Sequence, residues 1–177
     1  MVAVITTERL HLIPLGPTIL QWIDAGDVGL VQRALGARVP AGWTETIPAR
    51  VRLEQLATDA SQQPWLVRAM ALRQSRQVVG SVGFHAAPDE YGRVEIGYDV
   101  VPAHRRHGYA REAILALTRW AFRTERARIC VASVAPDNTA SIALVRSFGF
   151  HRTGERIDAV DGLEYVFERA LPISDQR

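Results

Sequence analysis

The densest run of chemically useful groups in the chain is Val100-Val101-Pro102-Ala103-His104-Arg105-Arg106-His107-Gly108-Tyr109-Ala110. It lies where a strand pattern ends and the strongest helical pattern begins. Amide N–H groups in the first turn of a helix lack internal partners and carry partial positive charge, so together they form an anion site. Gly108 lets backbone approach a phosphate closely, Ala110 is too small to obstruct it, and Arg105 and Arg106 add full charges. The expected ligand is a polyanion such as a pyrophosphate. The plainer alternative is an ordinary helix start with arginines in solvent. His104 and His107 have no third metal ligand nearby in sequence and fit neither an HExxH nor a Cys/His pattern, so no metal is expected.

The elements that must position this run can be read from periodicity. Residues 8–13 alternate polar and apolar and stop at Pro14, which predicts a strand. Short helices are expected at about 19–23 and 28–35, and a third at 49–60. Residues 65–72, 78–84 and 93–101 predict an antiparallel meander. The helix at 108–124 carries Ala113, Ile114, Leu117 and Ala121 at helical spacing. A strand at 129–134, a helix at 138–147 and two strands at 151–158 and 163–170, meeting at an Asp161-Gly162 turn, complete the chain. Strand, helix, strand over 93–134 is a parallel crossover inside an otherwise antiparallel sheet. The expected fold class is mixed α/β with helices on both faces, as a single domain over residues 1–177.

Composition narrows the chemistry. All 21 basic residues among the 177 are arginine, which excludes a Walker A lysine, a kinase strand lysine and a Schiff-base lysine. Arginine's high pKa lifts the sequence pI to about 9.1 although the net charge is only +2, so no nucleic-acid partner is signalled. A lone Cys130 makes no internal disulfide and suits a reducing compartment. The opening residues break any signal-peptide pattern with Glu8, Arg9 and His11, and no apolar run is long enough to span a bilayer. A cytoplasmic protein with no membrane partner is the expectation.

Arg105-x-x-Gly108-x-Ala110, set after Val94-Glu95-Ile96-Gly97-Tyr98-Asp99-Val100, resembles the coenzyme A signature of the GNAT superfamily of N-acetyltransferases. Asn138-Thr139-Ala140-Ser141, followed by Phe148-Gly149-Phe150, resembles a second element of that family. In detail the chain is similar to the Rim branch of ribosomal-protein alanine acetyltransferases. The resemblance implies a GNAT fold and acetyl-CoA as co-substrate, with an amine acceptor that is either a protein N-terminus or a metabolite. It places the pyrophosphate on the amides of Arg105, Arg106, His107, Gly108, Tyr109 and Ala110. The pantetheine arm then runs along Val100 and Val101 and bonds Asn138, and the thioester carbonyl lies near the Val100 amide.

Transfer to an amine needs a base and a partner for the departing thiolate. Glu95 is the candidate base, direct or through water; its plainer reading is a strand carboxylate paired with an arginine. Ser141, one turn after Asn138 on its helix, is the candidate thiolate partner; many GNAT members carry a tyrosine where this chain has Val145, so either Ser141 hydrogen-bonds the sulfur or the thiolate takes its proton from solvent. Asn138 is equally suited to be an N-cap. The family relation also points to Trp43 and Tyr91 as acceptor-side residues, with packing the competing reading for Trp43, and it allows a homodimer paired through sheet edges. A coenzyme A-binding regulatory module with little or no turnover is the competing functional class.

Overall fold

The computed structural model describes residues 2–160 and 162–173. Within them β1 (Ile5–Thr6), β2 (Leu10–Pro14), β3 (Arg68–Leu72), β4 (Val78–Phe84), β5 (Arg93–Val100), β6 (Ile129–Val134), β7 (His151–Asp158) and β8 (Gly162–Ala170) form one sheet. Its order is β1-β2-β3-β4-β5-β6-β8-β7. The helices are α1 (Pro17–Asp24), α2 (Val28–Leu35), α3 (Ala49–Thr58), α4 (Tyr109–Arg123) and α5 (Thr139–Ser147). Every pairing is antiparallel except that of β5 with β6, which α4 connects as the expected parallel crossover. The mixed α/β fold expected from the sequence is therefore present.

The departures are local and have identifiable causes. Two-residue β1 is too short for alternation to reveal it. The strand expected from residue 65 starts at Arg68, because the Trp65 amide closes a turn onto Gln62 O at 2.9 Å. Gly108 stands outside α4 with φ 80°, and Asn138 stands outside α5 as its N-cap. α3 stops at Thr58, after which Asp59 is extended. Of the expected Asp161-Gly162 turn, Asp161 lies outside the described residues, while Gly162 opens β8 with φ 75°.

The sheet separates two cores. On one face Ala113, Ile114, Leu117 and Ala121 of α4, with Val145 and Phe148 from the end of α5, cover Val94 and Ile96 of β5 and Phe167 of β8. On the other, Leu20, Ile23, Val31, Leu35 and Leu56 of α1 to α3 cover Ala69, Ala71 and Val78. Hence even-numbered residues of β5 face α4 and α5, and Glu95, Gly97 and Asp99 face the opposite way.

The seam between β5 and β6 is only partly closed. Only Arg93 to Glu95 pair with β6, opposite Ile129 to Val131. Beyond Glu95, β5 stays registered on β4 as far as Val100, while β6 stays on β8 as far as Val134. The sheet thus divides into two halves with a gap between them. Gly80 keeps β5 close to β4 along that gap: a Cβ there would stand 2.1 Å from Asp99 O and 3.0 Å from Val100 Cα. Gly80→Ala is expected to lower stability in urea unfolding by about 1–3 kcal/mol, the usual range for overpacking. Gly154→Ala, where an added Cβ meets nothing within 4 Å, is the control and should change stability by under about 0.5 kcal/mol. Equal effects from the two would contradict a tight β4–β5 contact.

Candidate active site

The gap exposes polar backbone along the inner edge of β5. His85 N donates to Glu95 O at 2.8 Å and Val101 N donates to Val79 O at 3.0 Å. Odd-numbered residues therefore bond to β4, and the peptide groups of Tyr98 and Val100 turn toward the gap. Arg105 Nε caps Val100 O at 2.9 Å, and Arg105 also approaches Asp99 Oδ1 at 3.8 Å. The Val100 N–H is left directed where an extended chain could add to β5. Val101 lies past the last β5 residue and begins the turn into the 105–110 loop.

That loop is shaped by two left-handed residues, Arg106 at φ 62° and Gly108 at φ 80°. Glycine adopts this conformation without the Cβ penalty, so the demand at Gly108 is conformational, since an added Cβ would come no nearer than 3.4 Å to Arg9. Glu112 N donates to Gly108 O as the first bond of α4, leaving the amides of Tyr109 and Ala110 without helical partners. His107 folds back: its Nδ1 donates to Arg105 O at 2.7 Å, and its ring stacks on Tyr109 at 5.6 Å. These two side chains brace the loop, while Arg106 reaches into solvent.

One anchor of this loop was not legible in the sequence. Arg9, just ahead of β2, donates through its guanidinium to His107 O at 2.8 Å, pairs with Glu112 Oε2 at 2.6 Å and lies 4.9 Å from the Tyr109 ring centroid. Glu112 also accepts from Arg9 N at 2.8 Å and from the Thr7 hydroxyl. Burial raises the Glu112 pKa, but these hydrogen bonds outweigh it and hold the carboxyl below its usual range. In the sequence Arg9 is only a polar strand position and Glu112 only a first-turn acid suited to a helix N-terminus.

Glu95 is paired in the way its plainer reading expected, but the arginine comes from the far edge of the sheet. Arg156 of β7 grips both carboxylate oxygens, at 2.7 and 2.9 Å, and donates through Nε to Glu164 at 2.9 Å. The buried Ser133 hydroxyl leans on Glu95 without reaching full hydrogen-bond geometry. Burial pushes the Glu95 pKa up, yet Arg156, Ser133 and His85 together hold it below the ordinary range. His85, absent from the sequence reading, lies beside it with Nδ1 3.7 Å from Oε1. Its ring occupies the space over Gly97, where a Cβ would come within 2.8 Å of Nε2. Burial pushes the His85 pKa down, Glu95 pulls it up, Arg52 and Arg156 push it down again and Glu164 opposes them, for a net lowering.

On the other face of β5, Asn138 Oδ1 accepts from Ser141 N at 3.1 Å and caps α5. This leaves the Asn138 amide NH2 available to donate. Val145 is buried at 2% exposure and contributes only packing. Cys130 is fully buried, which pushes its thiol up and makes it inert.

The two aromatic residues expected at the acceptor side are not in the gap. Trp43 is 1% exposed in the core under α1 to α3. A ring so covered cannot touch an acceptor, so packing is its role. Tyr91 sits in the turn before β5, 69% exposed, at the opposite end from Val100 of a strand roughly 23 Å long. His85, Glu95 and Arg156 instead cluster on the face of β5 turned away from α4 and α5.

Known proteins share this fold. Residues 19–151 match the Acetyltransferase (GNAT) domain family. The chain is 35% identical over 113 residues, 63% of each chain, to the Bacillus licheniformis protein called uncharacterized N-acetyltransferase p20. Matched stretches span 46 to 63% of the lengths of the curated relatives. The fold resembles that of the ribosomal-protein-S5-alanine acetyltransferase of Vibrio fischeri, with a TM-score of 0.67, 14% identity and coverage of 95% of this chain and 96% of that one. It also resembles RimL, a ribosomal L7/L12 alpha-N-protein acetyltransferase in complex with coenzyme A, with a TM-score of 0.65, 16% identity and coverage of 96% and 98%. A loop of left-handed residues opening α4, a divided β5–β6 seam and a family match across three quarters of the sequence agree: the chain belongs to the GNAT acetyltransferase family.

Proposed function

We propose that the protein transfers the acetyl group of acetyl-CoA to a primary amine by direct attack within a ternary complex. The observation that carries this reading is the seam: β5 leaves β6 after Glu95 and presents the Val100 N–H at the point where the 105–110 loop opens α4. An extended pantetheine arm can add to β5 there while its pyrophosphate meets the amides of residues 105–110 and the charges of Arg105 and Arg106. Asn138 offers its amide from α5, and Val101 and Val100 supply the strand edge.

The thioester provides an activated acyl carbon and a thiolate leaving group. Val100 N–H stabilises the oxyanion as the acceptor nitrogen bonds to that carbon. His85 receives the proton of the acceptor ammonium, directly or through water, because its lowered pKa keeps the imidazole neutral near pH 7. Glu95 acts through His85 rather than as the base itself: bonded twice by Arg156, it is a weak acceptor of protons but a good orienting charge. Ser141 supports the thiolate as the carbon–sulfur bond breaks. The fold is shared with enzymes named as ribosomal-protein acetyltransferases, one of them an alpha-N-protein acetyltransferase, which favours a peptide α-amine as acceptor over a metabolite.

Calorimetry with coenzyme A tests the anion site. Gly108→Asp should show no detectable binding heat, because it forces a left-handed Cβ and places a carboxylate against the pyrophosphate; wild-type affinity in that variant would refute the assignment. A pH profile tests the base. The neutral imidazole is the active form and its pKa is lowered, so the acid limb of kcat/KM should fall below about pH 6.5, the ordinary histidine value. His85→Gln should lose roughly 10²-fold in kcat, as for a removed general base. A parental rate in His85→Gln would transfer the role back to Glu95 or to water.

A further inference from the structure

A buried hydroxyl with nothing to bond stands beside the candidate thiolate partner. Tyr98 Oη is shielded from solvent and has no hydrogen-bond partner. Such groups are uncommon in folded proteins because each forfeits its bonds to water, and one that persists calls for an explanation. Phenylalanine would fill the same space on β5 without that cost. The Ser141 side chain stands near enough to lower the phenol's pKa as an incipient hydrogen-bond partner, though short of full hydrogen-bond geometry.

We propose that Tyr98 is the positioning residue for the thiolate partner: when coenzyme A is bound, its phenol donates to Ser141 Oγ and directs the Ser141 hydroxyl proton at the sulfur. The proposal rests on the acetyl-transfer reading above. A serine hydroxyl has one proton and two lone pairs, so a donor filling one lone pair fixes how the proton points. Asn138 already holds the first turn of α5 through Ser141 N, which leaves rotation about the Ser141 side chain as the adjustable part. Tyr98 lies beyond Glu95, on the stretch of β5 that β6 leaves uncovered, with its ring partly open and only its oxygen sealed. Burial pushes the phenol's pKa up, so it remains a donor throughout. Val145, buried one turn further along α5, has no hydroxyl to offer in its place.

The atoms balance without any proton leaving Tyr98. The acceptor nitrogen forms its bond to the acetyl carbon, the carbon–sulfur bond breaks, and its electron pair goes to sulfur, where the Ser141 hydroxyl donates to it. The acceptor ammonium gives up two protons in all, to His85 and to water, and the thiolate takes one back from water on release.

Tyr98→Phe tests this while preserving the ring. Coenzyme A bound to the parent, to Tyr98→Phe and to Ser141→Ala is examined at about pH 8, near the free thiol's pKa, by the ultraviolet absorbance of its thiolate. Both variants are expected to show a thiolate-to-thiol ratio about tenfold lower than the parent, the effect of one hydrogen bond to a charged group. With an amine that turns over, kcat should fall by a similar factor while KM for acetyl-CoA changes less than about twofold, and the double variant should be no worse than either single one. The unfolding midpoint of Tyr98→Phe should not fall. A parental thiolate ratio in Tyr98→Phe overturns the proposal, as does a loss of stability and coenzyme A affinity with the ratio unchanged, which would make the phenol a packing group. If no amine is acetylated by the parent yet the ratio differs between proteins, the acetyl-transfer reading fails and the role of Tyr98 stands.

Discussion

Everything at this site depends on the failure of two neighbouring strands to stay together. β5 and β6 share three residues of parallel pairing and then separate, each held by its other neighbour. Backbone groups inside a sheet are normally satisfied by the adjacent strand. Here the stretch from Tyr98 to Val100 is held from one side only, so the fold retains an unfilled strand position in the middle of a sheet rather than at its edge. An edge strand invites any extended chain, whereas this position is flanked by α4, α5 and the 105–110 loop.

The loop is anchored from outside by Arg9 and tied to β5 by Arg105. The Arg9 guanidinium is shared between His107 O, Glu112 and the face of Tyr109, so the conformation of residues 105–110 is fixed from outside as well as by its two left-handed residues. Arg105 turns back onto Val100 O and ties the loop to the strand. The all-arginine composition thus has a local use, because a planar guanidinium can bond, pair and stack at once where an ammonium could not. Arg156 likewise bonds two partners at once, bridging Glu95 and Glu164.

Much of the fold was legible because its signals are local. The α4 stripe of Ala113, Ile114, Leu117 and Ala121 and the alternation in β5 each lie within one window of sequence, and every predicted element has a counterpart close to its expected bounds. The turn from β5 through the 105–110 loop into α4 was legible for the same reason. What escaped were pairings between distant segments: Arg9 with Glu112, Arg156 with Glu95, and His85 over Gly97. Each residue looks ordinary in its own window, and only the sheet order places β7 within reach of β5. Trp43 was misleading in the opposite sense, since a tryptophan beside Pro40 and Gly42 reads as a surface turn, yet three helices close over it.

The span of those pairings bears on how the site comes into being. Arg9 and Glu112 are 103 positions apart, and Glu95 waits 61 positions for Arg156. Closing such long loops is costly in entropy and tends to come late and slowly in folding. A chain emerging from synthesis can pair β2, β3, β4 and β5 well before the β7–β8 hairpin exists. In that interval Glu95 has no guanidinium to bind it, and the newly paired half-sheet carries an unguarded strand edge. The Glu95–Arg156 cluster is therefore a late product of folding, completed only when the last fifth of the chain arrives.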